Sequence, residues 1–178
     1  MRSLAIAFVV VLLLSPAAVS AEPFTSSEFG FSADFPVTPQ QKPPVDSERD
    51  ENGNVVSRIV MFQAGVRGVY AASVNIDTHF VPRHVNAPAT LATGRDSFLG
   101  AMSASATRTE TLQIKGHPAM RFSYETSDHS ARGRGLVIVI ESEMPRIYMV
   151  VTAGRYPQVG ADTDAALERF FNSFRLTD

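Results

Sequence analysis

The chain has 178 residues, with 16 Lys/Arg against 18 Asp/Glu and no cysteine. A net charge of −2 with no basic run argues against a polyphosphate-binding surface, because nucleic-acid binders carry a basic patch or stripe. Without cysteine there is no disulfide, no thiol nucleophile and no lipid-modified N-terminal cysteine.

The first segment, MRSLAIAFVVVLLLSPAAVSA, reads as a secretory signal. Arg2 precedes an uncharged apolar run from Leu4 to Leu14, Ser15-Pro16 breaks it, and Val19-Ser20-Ala21 supplies the small residues a signal peptidase reads. The run is shorter than the ~20 residues of a membrane span. Cleavage is expected between Ala21 and Glu22, leaving residues 22–178 as one domain of 178 − 21 = 157 residues. Without Arg2 the charge balance is 15 basic to 18 acidic, a net −3. No later segment is apolar enough to span a membrane, and the expected location is the periplasm or the exterior. Arginine outnumbers lysine 14 to 2, a bias of genome composition rather than of function.

Residues 22–28 are polar and read as loose. Phe29, Phe31, Ala33 and Phe35 alternate on one face of a half-buried strand. From Pro36 to Asn54, four prolines and many charges predict a long surface loop ending in the turn Glu51-Asn52-Gly53-Asn54. Its length makes it a candidate partner-binding surface. Asn54–Gln63 and Val69–Ile76 read as a hairpin joined through Gly65 and Gly68. Asn86 then caps a helix with Pro88 in its first turn, and Leu91, Arg95, Phe98, Leu99 and Met102 form its stripe. Gly94 weakens it.

Thr107–Ile114 and Ala119–Thr126 form a second hairpin around the turn Lys115-Gly116-His117-Pro118, with one wet face carrying Arg121 and Glu125. Leu136–Ile140 and Ile147–Thr152 are apolar on both faces, as central strands covered on both sides are. In the terminal stretch RFFNSFRLTD, Leu167, Phe170, Phe171 and Phe174 share one face of a helix capped by Asp162. That face packs on the sheet. The fold class expected is α+β: one antiparallel sheet of about seven strands flanked by a helix on each face.

Candidate chemistry is sparse. Asp77 and His79 point to one side of a strand, and His84 follows past Pro82. The trio has ligand chemistry for a divalent metal, but no zinc-finger or HExxH spacing and no fourth ligand, so the segment reads first as a solvated strand end. His117 reads as a turn residue, and Asp128-His129 lies in the polar loop SDHSARGRG. Gly133-Arg134-Gly135 precedes a strand instead of opening a helix, so it reads as a hairpin turn rather than a phosphate loop. No Gly-x-Ser-x-Gly elbow or Ser-x-x-Lys occurs, and no catalytic residue or cofactor is assigned.

Three stretches carry a resemblance. FGFSADFPVTPQQ is similar to a phenylalanine strand followed by FP-x-x-P, KGHPAMRF to a small turn with G-x-P before a strand, and ERFFNSFRL to an FF-x-SF-x-L ending. Together they resemble bacterial exported proteins of the PsbP-like α/β/α sandwich. The resemblance implies a binding or assembly factor without a shared catalytic centre, and no photosystem role is carried over. The function expected is an exported, monomeric, non-catalytic binding or assembly factor for a protein partner or small ligand. One alternative is an apolar-ligand or lipid carrier, which needs a cavity between helix and sheet. Another is a metal-binding protein or hydrolase.

Overall fold

The computed structural model describes residues 23–177. The proposed signal segment and its Ala21–Glu22 junction lie outside them. In chain order the elements are β1 (Phe24–Ser26), β2 (Phe31–Ala33), β3 (Gln40–Gln41), β4 (Val45–Arg49), β5 (Val55–Val66), β6 (Tyr70–His79), α1 (Ala87–Ala101), β7 (Ala104–Ile114), β8 (His117–Thr126), β9 (Ala131–Ile140), β10 (Arg146–Arg155), α2 (Ala161–Ser173) and β11 (Arg175–Leu176).

Eight strands make one antiparallel sheet in the order β3-β5-β6-β10-β9-β8-β7, with β4 also on β5. The helices lie on opposite faces, as the periodicities predict. The helix α1 carries the chain from β6 to the far edge strand β7 and packs over β7, β8 and β9; α2 packs over β6 and β10. β1, β2 and β11 form a separate three-stranded sheet on the α2 side.

Several expectations change. Phe29–Phe35 does not join the main sheet: its centre, β2, pairs with β1 and β11. The polar segment 22–28 is therefore partly a strand, because Phe24 has an aromatic layer to enter. The loop 36–54 contains two edge strands, since β3 and β4 pair in succession along β5. Short, charged, bulged edge strands leave little alternation to read, and they blunt an edge. β9 begins at Ala131, so Gly133-Arg134-Gly135 lies inside a central strand rather than in a turn. These glycines are required by close approach. A Cβ on Gly135 would fall 2.0 Å from Phe122 Cζ, and one on Gly133 1.9 Å from Thr152 O. Gly160, not Asp162, is the N-cap of α2, and its carbonyl accepts from Asp164 N at 3.0 Å. Asp162 and Asp164 occupy the first turn, where negative charge opposes the positive helix end.

Between the main sheet and α2 lies the principal core. Phe31, Phe62, Phe170, Phe171, Phe174 and Tyr148 are buried there. Phe24, Phe29 and Phe31 all pack on Phe62, with ring centroids 5.3–5.7 Å apart. Phe31 also stacks on Phe174 at 5.9 Å, and Phe35 meets Phe170 at 4.6 Å. Tyr148 sits in this apolar layer because its hydroxyl donates to Phe29 O at 2.6 Å. The α1 side is a second core of Leu91, Leu99, Phe122, Tyr124, Val137, Val139 and Val151. Asn86 caps α1 as expected, accepting from Ala89 N at 3.1 Å. Gly94 lets α1 approach β9, since a Cβ there would sit 3.2 Å from Val137 Cγ1.

Phe170→Ala empties the centre of the aromatic layer and is expected to lower unfolding stability by about 3–5 kcal/mol in urea titrations. Gly135→Ala, which adds a single carbon against Phe122, is expected to cost about 1–3 kcal/mol in the same measurement.

Candidate functional site

The helix α1 covers the β7–β9 half of its face, and no described helix lies over the α1 side of β5 and β6. A cavity of about 920 Å³ lies there, at the end of the sheet bearing the β5–β6 hairpin tip. The register explains why space remains. Gly65 pairs with Ala71 and Ala71 with Ala153, so three adjacent strands place three minimal side chains in one row. Gly65 cannot be larger: a Cβ there would lie 2.3 Å from Tyr70 O, at a φ of 155°.

The rim comes from Gln40 and Lys42 at β3, Val66–Tyr70 at the hairpin tip, Met102-Ser103 after α1, and Thr126–Asp128 with Ser130-Ala131 at the β8–β9 turn. Backbone hydrogen bonds tie these segments together. Arg155 N donates to Val69 O at 2.8 Å, Tyr156 N to Ser130 O at 2.9 Å, Ser127 N to Ser103 O at 2.9 Å, and Lys42 N to Met61 O at 2.8 Å. The groove is thus part of the folded framework.

Asp128 organises the β8–β9 turn. Its carboxylate accepts from Thr126 Oγ1 at 2.7 Å, Ser130 N at 3.0 Å and Ser130 Oγ at 2.8 Å. The Ser130 amide, then the Thr126 and Ser130 hydroxyls, hold its pKa down at about 2. His129, by contrast, reaches Glu125, with Nδ1 3.1 Å from Oε1. The two neighbours act on different partners.

A smaller cleft of about 470 Å³ lies on the α2 side, lined by Arg132, Arg134, Tyr156, Asp164 and Glu168 among others. Its charges are matched internally. Arg134 reaches Glu168 at 2.9 Å and Arg132 approaches Asp164 at 3.9 Å. Arg132 also lies 3.9 Å from the Tyr156 ring centroid, and the Tyr156 hydroxyl donates to Asp164. Burial first, and then the Asp164 carboxylate, push the Tyr156 pKa up. With each cation already answered, the cleft clamps α2 to the sheet.

At the far end of the sheet, Asp77 and His79 do come close, Oδ2 to Nε2 3.9 Å. His79 is 5 % exposed, so this is not the solvated strand end that the sequence suggested. The chain after β6 folds back over it: His79 N donates to Pro145 O and Arg83 N to Glu143 O. His84 lies on the exposed part of that segment. Among the described residues no three His, Asp or Glu side chains are grouped to hold a metal ion. Ser47 Oγ donates to Asp77 Oδ1 at 2.9 Å and lies 2.7 Å from Ser57 Oγ, while His79 Nδ1 is buried without a partner. Ser47 bonds to the carboxylate, Ser57 bonds to Ser47, and neither bonds to the imidazole, so these residues do not form a nucleophile–base–orienter relay. His117, expected in a turn, opens β8 opposite Ile114, and Lys115-Gly116 make the turn with φ of 50° and 81°.

Asp128→Asn removes the charged acceptor and is expected to speed amide exchange at Ser130 and Ala131. Because the folded-state pKa is depressed from 3.8 to about 2, this contribution is complete above the ordinary carboxylate value. It is lost as pH falls toward 2. In the parent chain, exchange at these two amides, corrected for intrinsic rates, should therefore rise across that acid window. In Asp128→Asn it should stay flat.

No protein-family model and no curated protein sequence matches the chain. Among solved structures, it is similar to cyanobacterial PsbP (CyanoP) from Synechocystis sp. PCC 6803, with a TM-score of 0.54 and 10 % identity. That similarity covers 91 % of this chain and 96 % of that one. At this identity the likeness concerns the arrangement of the backbone. No helix among the described residues is long and apolar enough to cross a membrane. The chain has a PsbP-like α+β fold.

Proposed function

We propose that the protein is an exported, non-catalytic binding protein whose ligand occupies the groove beneath the β5–β6 hairpin tip. The observation that carries this reading is the groove itself. At about 920 Å³ it sits within the ~300–1,000 Å³ range of small-molecule sites. Its row of Gly65, Ala71 and Ala153 leaves room where larger side chains would have closed the surface. The apolar contributors Val69 and Met102, beside Ala71 and Ala153, favour a ligand with an apolar body. The segment 36–54 takes part through Gln40 and Lys42, so its role is a groove wall rather than a free partner-binding loop. Export rests on the segment Met1–Ala21, with its basic start, apolar run and small residues before Glu22.

Nile red, an uncharged fluorophore, tests the groove. Binding should raise its emission, and Ala71→Trp or Ala153→Trp should abolish the rise while circular dichroism and melting stay close to the parent. An unchanged signal in both folded variants contradicts the assignment. For export, the intact mass of protein recovered outside the cytoplasm should equal residues 22–178; a mass retaining Met1–Ala21 contradicts cleavage.

A further inference from the structure

Resting on the groove as the binding site, we infer that it selects an anionic amphiphile: a single molecule with an apolar body and a carboxylate or phosphate head. The groove is lined by three cations, Lys42, Arg67 and Arg155, against one carboxylate, Asp128. The chain as a whole carries −2, so positive charge is concentrated here against the overall balance.

Arg49, Arg58, Arg83, Arg95, Arg132 and Arg134 each lie within 4.0 Å of a carboxylate. Among the described residues, Lys42, Arg67 and Arg155 have no such partner; Lys42 Nζ meets only the neutral Gln40 Oε1 at 3.3 Å. Among the described residues Arg108, Lys115, Arg121, Arg146, Arg169 and Arg175 also lack a carboxylate within 4.0 Å, so what sets the groove apart is that three such cations line one concave site. Asp128 keeps its negative charge but is held inside its own turn by three hydrogen bonds and offsets only one of the three cations. The groove therefore offers cation donors at its rim above an apolar floor. An anionic head gains charge-assisted hydrogen bonds there, while a cationic head meets repulsion.

The apolar floor argues that more than a head group is held. A bare anion would leave Ala71, Ala153 and Met102 facing water. The concave site, with its rim closed by backbone hydrogen bonds, suits one molecule taken from solution. A lipid surface would instead be met by a flat or protruding basic patch.

The test is competition against Nile red with four single-chain amphiphiles below their micellar concentrations: dodecanoate, dodecyl phosphate, dodecanol and dodecyltrimethylammonium. The full-length mature protein is used at low salt. Both anions should bind about ten-fold tighter than the alcohol, with the ammonium compound weakest. Arg67→Glu combined with Arg155→Glu changes exposed side chains only, and should remove the anion preference while Nile red still binds.

Equal competition by all four overturns the anion assignment and leaves the apolar groove standing. Failure of Nile red to bind the parent chain removes the groove reading itself. Two further arms separate sources of the same chemistry. Acetate or inorganic phosphate competing as well as the dodecyl compounds would overturn the need for an apolar body. Capture only by vesicles of anionic phospholipid, with no response to dispersed dodecanoate or dodecyl phosphate, would overturn the single-molecule site in favour of a membrane surface.

Discussion

The rings of Phe31, Phe62, Phe170 and Phe174 hold one side of the molecule together. The strand β2 pairs only with β1 and β11, yet its Phe31 is completely buried between Phe62 of the main sheet and Phe174 beyond α2. Residues more than 140 positions apart in sequence thus meet in one aromatic layer. Each large ring contributes roughly 2 kcal/mol by burial, and edge and stacked contacts add to it. The bond from the Tyr148 hydroxyl to Phe29 O then fixes the entry strand to the centre of the sheet. This closure commits α2 and the small sheet to a single face.

Among the described residues, α1 alone covers the other face. One helix of 15 residues spans three strands of a wide sheet, so β5 and β6 remain uncovered on that side. At the hairpin end, Gly65, Ala71 and Ala153 keep the uncovered surface concave. The groove is therefore a consequence of how the helices are shared between the faces, made deeper by small side chains in register. The difference between the two clefts follows the same logic. On the α2 side, the cations clamp the helix; beside the hairpin tip, among the described residues, the cations have no carboxylate partner.

Much of this architecture is visible in the residues themselves. The spacing of Leu167, Phe170, Phe171 and Phe174 marks a buried face; all four are buried, the first three on α2 and Phe174 at its non-helical C-cap. The doubly apolar runs at Leu136–Ile140 and Ile147–Thr152 mark central strands, and β9 and β10 lie side by side near the middle of the sheet. What escapes a linear reading depends on partners far along the chain. Gly133 and Gly135 look like turn residues until Thr152 and Phe122 stand against them. β3 and β4 are strands because β5 offers them an edge, not because their own residues alternate. His79 looks solvated until the turn before β10 closes over it. The groove is hidden for the same reason, since no local signal announces that Gly65, Ala71 and Ala153 lie in one row across three strands.

Amide chemical shifts followed during a dodecanoate titration give the most direct test of the groove as the binding site. Saturable shifts are expected at Gln63–Ala71, Met102-Ser103, Thr126–Ala131 and Ala153–Arg155, with the α2 cleft and the His79 end of the sheet left unchanged. Shifts centred on Arg132, Arg134 and Glu168, or a titration that moves no amide at saturating ligand, would contradict that assignment.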